Sequence, residues 1–275
     1  MKVYTDIAKV KAEWDKFNVS DFIHSTFLEV FYINHPKIKH LFVINKDMRL
    51  YAHIFELRFD KIVRYLKNKR LGLFVKFIKF DVLYLTNSFI TNIPAFASKY
   101  KINLDKFLSV LQYNYTLLVL PDFVFNNITT EKNEFCKIEV EGDMVLEIHN
   151  KWCELDSYIS DFRKKYRKKI KKFLNSSSEI EIRPMNANDL VFYSDNIKDL
   201  FSQVINESKF SGPLFNTDSF LSLIKKDIFK VYGYFINSDL IAFSSEIHQE
   251  KILYSYYVGF DKSLNKTFSI YPRIL

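Results

Sequence analysis

Apolar and polar positions alternate along this chain with two different periods. In 240–248, LIAFSSEIH, sides change every residue, as in a strand with one solvated face. In 155–174, the apolar residues Leu155, Ile159, Phe162, Tyr166, Ile170, Phe173 and Leu174 recur at spacings of three and four, which predicts one helix with a single buried stripe. The same reading predicts helices over 6–17 and 20–36, the second capped by Ser20 and followed by Pro36. Two strands in 41–59 flank a turn at Asn45-Lys46-Asp47. Residues 74–85 read as a strand, with a helix as the alternative, and 104–114 as a short helix. TLLVLPDFVF (116–125) is apolar enough for a buried strand ending near Pro121.

Residues 126–142 are the most polar interval and are taken as a boundary, giving units 1–135 and 136–275. Beyond it the pattern predicts a short strand, MVLEIH (144–149), the helix just described, and a strand in 179–185. Helices follow over 187–205 and 217–229, the second capped by Asn216 or Thr217. Strands at Lys230–Ile236, Leu240–His248 and Lys251–Phe260 are joined by turns short enough to force an antiparallel meander. The last residues, 262–275, open a further helix.

Charge changes this picture in one place. Both 1–150 and 151–275 carry a formal excess of +4, out of +8 for the chain. In the second part, eight Lys or Arg within the ten residues Arg163–Lys172 supply all of it; without them that part would be −4. Such local basicity points to a localised anionic partner: an anionic small molecule, a lipid-linked substrate, tRNA, or an anionic membrane surface. Arg58 to Lys79 is a second basic segment, interleaved with Phe74, Phe77, Ile78 and Phe80, and reads either as strand and loop or as a membrane-resting surface. A helix-turn-helix or other base-reading motif is not visible, so sequence-specific DNA recognition is not expected. Cys136 and Cys153 match neither a metal spacing nor a disulfide framework. The N-terminus lacks an apolar core for export, and no run approaches the roughly 20 apolar residues that cross a bilayer. Together these predict a cytoplasmic protein, with a peripheral place at the inner membrane face left open.

Strand, basic helix, strand, two helices, then a three-stranded meander and a helix: this order resembles the GNAT acyltransferase superfamily. YISDFRKKYRKKIKK, with Lys165, Tyr166 and Arg167, is similar to the helix of its FemAB-like branch, which includes the BioF2-like acetyltransferase domain. KVYGYFINSDLIAFSSEIHQEKILYSYYVGF and the downstream Ser269-x-Tyr271 resemble the hairpin and following element of that branch. The resemblance covers about 150–275 and extends more weakly over 18–130. It implies an α+β fold of two tandem GNAT-like units, each a mixed, mostly antiparallel sheet flanked by helices. The first would be a degenerate copy and the second incomplete at its C-terminus. It also implies an acyl- or aminoacyl-transferase of bacterial cell-envelope or small-metabolite chemistry, with acyl-CoA rather than aminoacyl-tRNA as co-substrate and no tightly bound cofactor or metal. Ordinary GNAT enzymes hold the pyrophosphate of CoA in a Gly-rich loop; LNKTFSI here has no glycine, leaving Lys266, Thr267 and Ser269 as the donors.

Acyl transfer needs a base, a donor site and a group that polarises the carbonyl. Alternation sets Ser244, Glu246 and His248 on one face of their strand, with Ile241, Phe243, Ser245 and Ile247 on the other. Glu246 and His248 are the candidate base or proton shuttle; the same pattern also describes an ordinary half-exposed strand. Tyr254 and Tyr256 share a face, and Tyr256 and Tyr271 are candidate proton donors, although tyrosine is also a strong strand former. Arg163, Lys164, Arg167 and Lys168, with Ser244, are the candidate anion ligands, Arg167 foremost because guanidinium pairs bidentately with phosphate or carboxylate. The alternative is a scaffold without catalysis that binds nucleic acid or an anionic membrane through its basic helix.

Overall fold

The computed structural model describes residues 1–17, 20–59, 75, 77–132, 134–139, 144–207, 212–249 and 251–275. The part of the second basic segment at 60–74 and 76 lies outside them. Twelve strands are present among the described residues: β1 Lys2–Tyr4, β2 Lys39–Asn45, β3 Met48–Arg58, β4 Lys79–Tyr84, β5 Phe96–Ser98, β6 Ile102–Asn103, β7 Leu117–Val119, β8 Ile128–Thr129, β9 Glu181–Pro184, β10 Phe229–Ile236, β11 Asp239–Gln249 and β12 Ile252–Phe260. The helices are α1 Lys11–Trp14, α2 Ser25–Asn34, α3 Leu104–Val110, α4 Asp122–Phe125, α5 Leu155–Ser160, α6 Lys164–Ser176, α7 Ala187–Phe192, α8 Ser194–Ile205, α9 Ser219–Ile224, α10 Lys262–Phe268 and α11 Ile270–Ile274. The fold is α+β.

One sheet runs β1-β2-β3-β4-β7 with β5 also on β3, antiparallel except for the parallel pair β4–β7. A second runs β12-β11-β10-β9 and is wholly antiparallel; β6 and β8 form a small parallel pair. The meander forms because its first turn is tight: Asn237 and Ser238 both take left-handed φ, 49° and 71°, the turn whose twist suits a two-residue hairpin.

Apolar side chains on the two sheets meet. Phe27, Phe31, Phe42 and Phe89 share one buried cluster with Phe215, Phe220, Phe229 and Phe243. Its middle is a run of rings: Phe31 stacks on Phe89 at 5.7 Å, Phe89 meets Phe215 at 6.3 Å, and Phe215 stacks on Tyr257 at 4.0 Å. A second cluster, with Leu41, Leu50, Leu83 and Phe107, fills the other face of the six-stranded sheet. A third, with Tyr234, Ala242, Phe260 and Ile270, lies on the outer face of the four-stranded sheet, where Leu264, Phe268 and Ile274 of α10 and α11 pack against it.

Several expectations need correction. The 187–205 helix is two, α7 and α8; His24 rather than Ser20 caps α2, and Asp218 rather than Asn216 or Thr217 stands at the N-cap of α9. MVLEIH forms no strand: 144–149 is exposed, and strand propensity without a neighbouring ladder makes no strand. The 155–174 helix is two, α5 and α6, broken where Asp161 accepts hydrogen bonds from Trp152 and Lys151, each at 2.6 Å. Its stripe is buried only at Ile159; Leu155 and Tyr166 are exposed, and Ile170, Phe173 and Leu174 half-buried. TLLVLPDFVF is an edge strand of three residues with Leu117 and Val119 exposed, followed by α4 after Pro121. Ile241 joins the cluster of Ala242 because the pairing of β10 with β11 slips there, Tyr234 opposing Ala242 and Phe235 opposing Leu240.

Candidate functional site

The register of the meander builds a polar line on the outer face of the four-stranded sheet. Tyr232 pairs with Ser244 and Lys230 with Glu246 across β10 and β11, and directly opposed residues share a face. His248 Nε2 lies 2.7 Å from Glu246 Oε1, and the Tyr234 hydroxyl is 3.3 Å from Ser244 Oγ. The Glu246 side chain is 20% exposed and that of His248 45%, so the pair sits at the rim of the sheet, within reach of a solute. Burial raises the Tyr232 phenol above its ordinary pKa, and the adjacent Glu246 carboxylate adds to this. Burial also raises Tyr234, opposed by its Ser244 hydrogen bond and by the Arg273 cation. With Nε2 donating to Glu246, Nδ1 is the ring's proton acceptor: a carboxylate-oriented imidazole, the arrangement of a general base.

Tyr256 is not part of this line. Glu246 opposes Ser255 and His248 opposes Leu253 on β12, so Tyr254 and Tyr256 turn to the other face, where Tyr256 meets Phe229 at 6.3 Å. Between Ser244 and Glu246 the ladder carries an extra residue in β12, and Tyr257 turns to the same inner face as its neighbour. Ser245 Oγ holds that bulge, accepting from Tyr257 N–H at 2.9 Å and donating to Tyr257 O at 3.1 Å. The Tyr257 hydroxyl donates to Phe89 O at 2.6 Å, and its pKa is pushed well up by burial.

The remaining expected residues lie apart. Lys266 and Thr267 are exposed within α10 rather than in a loop, and Tyr271 on α11 rests against Phe260 at 5.5 Å. Ser269 joins the two helices at a φ of 50°, and its Oγ accepts from Ser176 Oγ of α6 at 2.9 Å. Asp261 caps α10, its carboxylate accepting from Ser263 N at 2.8 Å and Leu264 N at 3.2 Å, and Asn265 Oδ1 takes Tyr271 N at 2.8 Å. Asp261 thus satisfies the first amides of α10 with its own carboxylate.

Arg163, Lys164, Arg167 and Lys168 are all exposed. Arg167 Nη1 donates to Ser160 O at 3.3 Å, which links α6 to α5 rather than to the sheet. The helix rise puts Arg167 about 14 Å from Ser176, so the basic turns lead away from the Ser176–Ser269 contact. Of the expected residues, then, the structure brings together Ser244, Glu246 and His248.

Sequence reasoning missed Tyr232, Tyr234 and Arg273 on this face; the turn at Asn237-Ser238 alone would set Tyr232 opposite Phe243, and the slip between Tyr234 and Phe235 sets it opposite Ser244 instead. It also missed a buried cluster of His35, His40, His53 and Tyr51 on the six-stranded side. Two concavities lie elsewhere, one of about 540 Å³ beside Tyr32, Lys37, Lys39 and His40, the other of about 240 Å³ between α7, α8 and α9. Among the described residues no group of three His, Cys, Asp or Glu side chains could hold a metal ion, and no helix is long and apolar enough to cross a membrane.

No family model matches the chain, and no curated protein matches it. A solved structure of an aminoglycoside acetyltransferase from an uncultured soil metagenomic sample, in complex with sisomicin, is similar over 35% of this chain and 69% of its own, at 16% identity and a TM-score of 0.26. A conserved protein of unknown function from Bacteroides thetaiotaomicron VPI-5482 is similar over 100% of this chain and 87% of its own, at 12% identity and a TM-score of 0.51. That second likeness is one of fold.

Proposed function

We propose that the chain is an acyltransferase that uses Glu246 and His248 to take the proton from an attacking amine or hydroxyl. The observation that carries this reading is the 2.7 Å contact between His248 Nε2 and Glu246 Oε1 at the accessible rim of a strand face that also holds the half-buried Tyr232 and Ser244 and the buried Tyr234. As the acceptor attacks the acyl carbon, His248 Nδ1 receives its proton and the leaving group departs from the same carbon. Glu246 fixes the tautomer and stabilises the imidazolium. Phenol and hydroxyl donors along the line suit the developing carbonyl charge. The acceptor is an amine or hydroxyl of a cell-envelope precursor or small metabolite. The donor is an activated acyl group, acyl-CoA in preference to aminoacyl-tRNA.

The test is mass-spectrometric detection of acyl transfer by the full chain, with a panel of acyl thioesters and aminoacyl-tRNA against amine and alcohol acceptors. Wild type should acylate at least one acceptor, and H248Q should lower the rate about 10²- to 10⁴-fold. Activity indifferent to both H248Q and E246Q would reject this pair, and no transfer from any donor would reject the reaction class.

A further inference from the structure

All eight cations of Arg163–Lys172 are exposed, and among the described residues none enters an ion pair. Like charges at Arg163/Arg167, Lys164/Lys168, Lys165/Lys169, Arg167/Lys171 and Lys168/Lys172 stand one turn apart and repel. The apolar residues of α6 are not spent on this surface: Ile170, Phe173 and Leu174 are half-buried, and the helix packs on α10 and α11. The chain entering α5 carries the opposite character. Met144, Val145 and Ile148 are 90%, 82% and 77% exposed. This segment is tied to the start of α6, because Lys151 and Trp152 both bond Asp161, two residues before Arg163. Exposed aliphatic side chains therefore lie within seven residues of the anchor that fixes the start of an unneutralised cationic helix.

We propose that α6 and residues 144–149 form a docking surface for an anionic lipid bilayer. Headgroup phosphates neutralise the lysines and arginines, while Met144, Val145 and Ile148 enter the boundary with the acyl chains. Stable peripheral attachment needs both kinds of contact, since a short apolar segment or a basic patch alone is weak. A nucleic-acid backbone would use the cations and leave the three aliphatic side chains in water, so the observations favour the bilayer. This surface is independent of the acyl-transfer reading, and Glu246 and His248 take no part in it.

The experiment is co-sedimentation of the full chain with vesicles of equal parts phosphatidylglycerol and phosphatidylcholine, and with vesicles of phosphatidylcholine alone. Binding is expected to the first and not the second, and should weaken as salt rises. Lys164, Lys168 and Lys171 fall on one exposed line at i, i+4 and i+7. K164E/K168E/K171E should bind about 100-fold more weakly or worse, and M144S/V145S/I148S about 10-fold more weakly. All six positions are exposed, so both variants should keep the wild-type circular dichroism and thermal midpoint. Absence of binding to the charged vesicles, or binding unchanged by the lysine reversals, overturns the proposal. So does binding unchanged by the serine variant together with tighter capture of a single-stranded RNA oligomer, which would assign the surface to nucleic acid.

Discussion

The backbone N–H of Asn216 donates to Nε2 of His35 at 2.8 Å. His35 follows α2 and Asn216 precedes α9, so the bond joins the part of the chain that holds the six-stranded sheet to the part that holds the four-stranded one. An amide N–H can only donate, so the proton of the neutral ring sits on Nδ1, where it donates to Phe31 O at 3.0 Å. The same reasoning carries on to His40, whose Nε2 donates to His35 O at 3.1 Å and whose Nδ1 accepts from the Tyr51 hydroxyl at 2.6 Å. His53 Nδ1 accepts from Ser88 Oγ at 2.7 Å. Three histidines are thus fixed in single neutral tautomers inside the protein.

Replacing His35 by Phe should show what the bond contributes. Phenylalanine keeps the packing on Phe89, whose ring centroid lies 3.9 Å away, but offers Asn216 N–H no acceptor. A buried donor left without a partner costs about 1–3 kcal/mol. Urea denaturation of His35→Phe at neutral pH should show a loss in that range. A loss below about 0.5 kcal/mol would mean that water reaches the amide and replaces the ring.

The same cluster sets a pH dependence. Burial lowers the pKa of His35, of His40 to about 4, and of His53 well below its ordinary value; the neighbouring imidazoles lower His40 and His53 further. The folded values lie below the unfolded ones, near 6.5, so on acidification the unfolded chain takes up protons first. The stabilisation is complete above about pH 6.5 and falls as pH drops toward the folded values. For His40 alone the drop from 6.5 to about 4 corresponds to roughly 3 kcal/mol. The decisive window is about pH 6.5 to 5, above the ordinary carboxylate range. The urea midpoint should decline steadily through it; a flat midpoint would show that these rings ionise within the fold.

Much of the second sheet was legible because its signals are local. The alternation in β11 and the turn at Asn237-Ser238 give strands and hairpin from adjacent residues, and Ser244, Glu246 and His248 do share a face; the slip at Tyr234/Phe235 that sets the register beyond the turn is not legible in the same way. Tyr254 and Tyr256 share a face as alternation predicts, but it is the face opposite Glu246, while Tyr257 departs from the alternation. The bulge that re-aims Tyr257 depends on Ser245 Oγ bonding both of its backbone groups, a contact between strands. Asp261 as the cap of α10 could be read from its own position, but the family resemblance drew attention downstream to Lys266 and Thr267. The histidine cluster was hidden for a different reason. His35, His40 and His53 look like isolated polar residues in apolar runs, and only the crossing of α2, β2, β3 and the Asn216 segment brings them together.

Gly259 is required by close approach. A Cβ there would stand 2.7 Å from Phe201 N and 2.8 Å from Leu200 C, backbone atoms of α8, and would also strike the Phe243 ring. Backbone within a helix cannot step aside as a flexible side chain can. Gly259→Ala should therefore destabilise by about 2–3 kcal/mol, the range of an overpacked core. Gly233, whose Cβ would meet the side chains of Phe235 and Leu240, is the comparison. If both alanine variants melt alike, α8 is less firmly seated on β12 than its contacts imply.

The hairpin turn should accept improvement. Ser238 holds a φ of 71°, a conformation that costs an L-residue and costs glycine nothing. The Tyr193 hydroxyl donates to the Ser238 carbonyl at 3.2 Å, a contact the substitution keeps. Ser238→Gly should stabilise by roughly 0.5–1 kcal/mol, the greater freedom of glycine in the unfolded chain limiting the gain. A lower thermal midpoint in this variant would mean that the serine side chain stabilises the turn more than its backbone strain costs.

Glu246 can be separated from mere surface polarity by what it does to its neighbours. Its carboxylate contacts His248 and raises the Tyr232 phenol, after the larger effect of burial. Glu246→Gln removes the charge and keeps the shape. The Tyr232 titration, followed by NMR at its ring carbons, should move part of the way back toward an ordinary phenol, with the share due to burial remaining. Stability should change by less than about 1 kcal/mol, because the pair is partly exposed. If His248 works as the base, acyl transfer should fall, because the imidazole loses the carboxylate that orients it. An unchanged rate would remove Glu246 from the reaction, and an unmoved Tyr232 would show that the carboxylate does not sit where this geometry puts it.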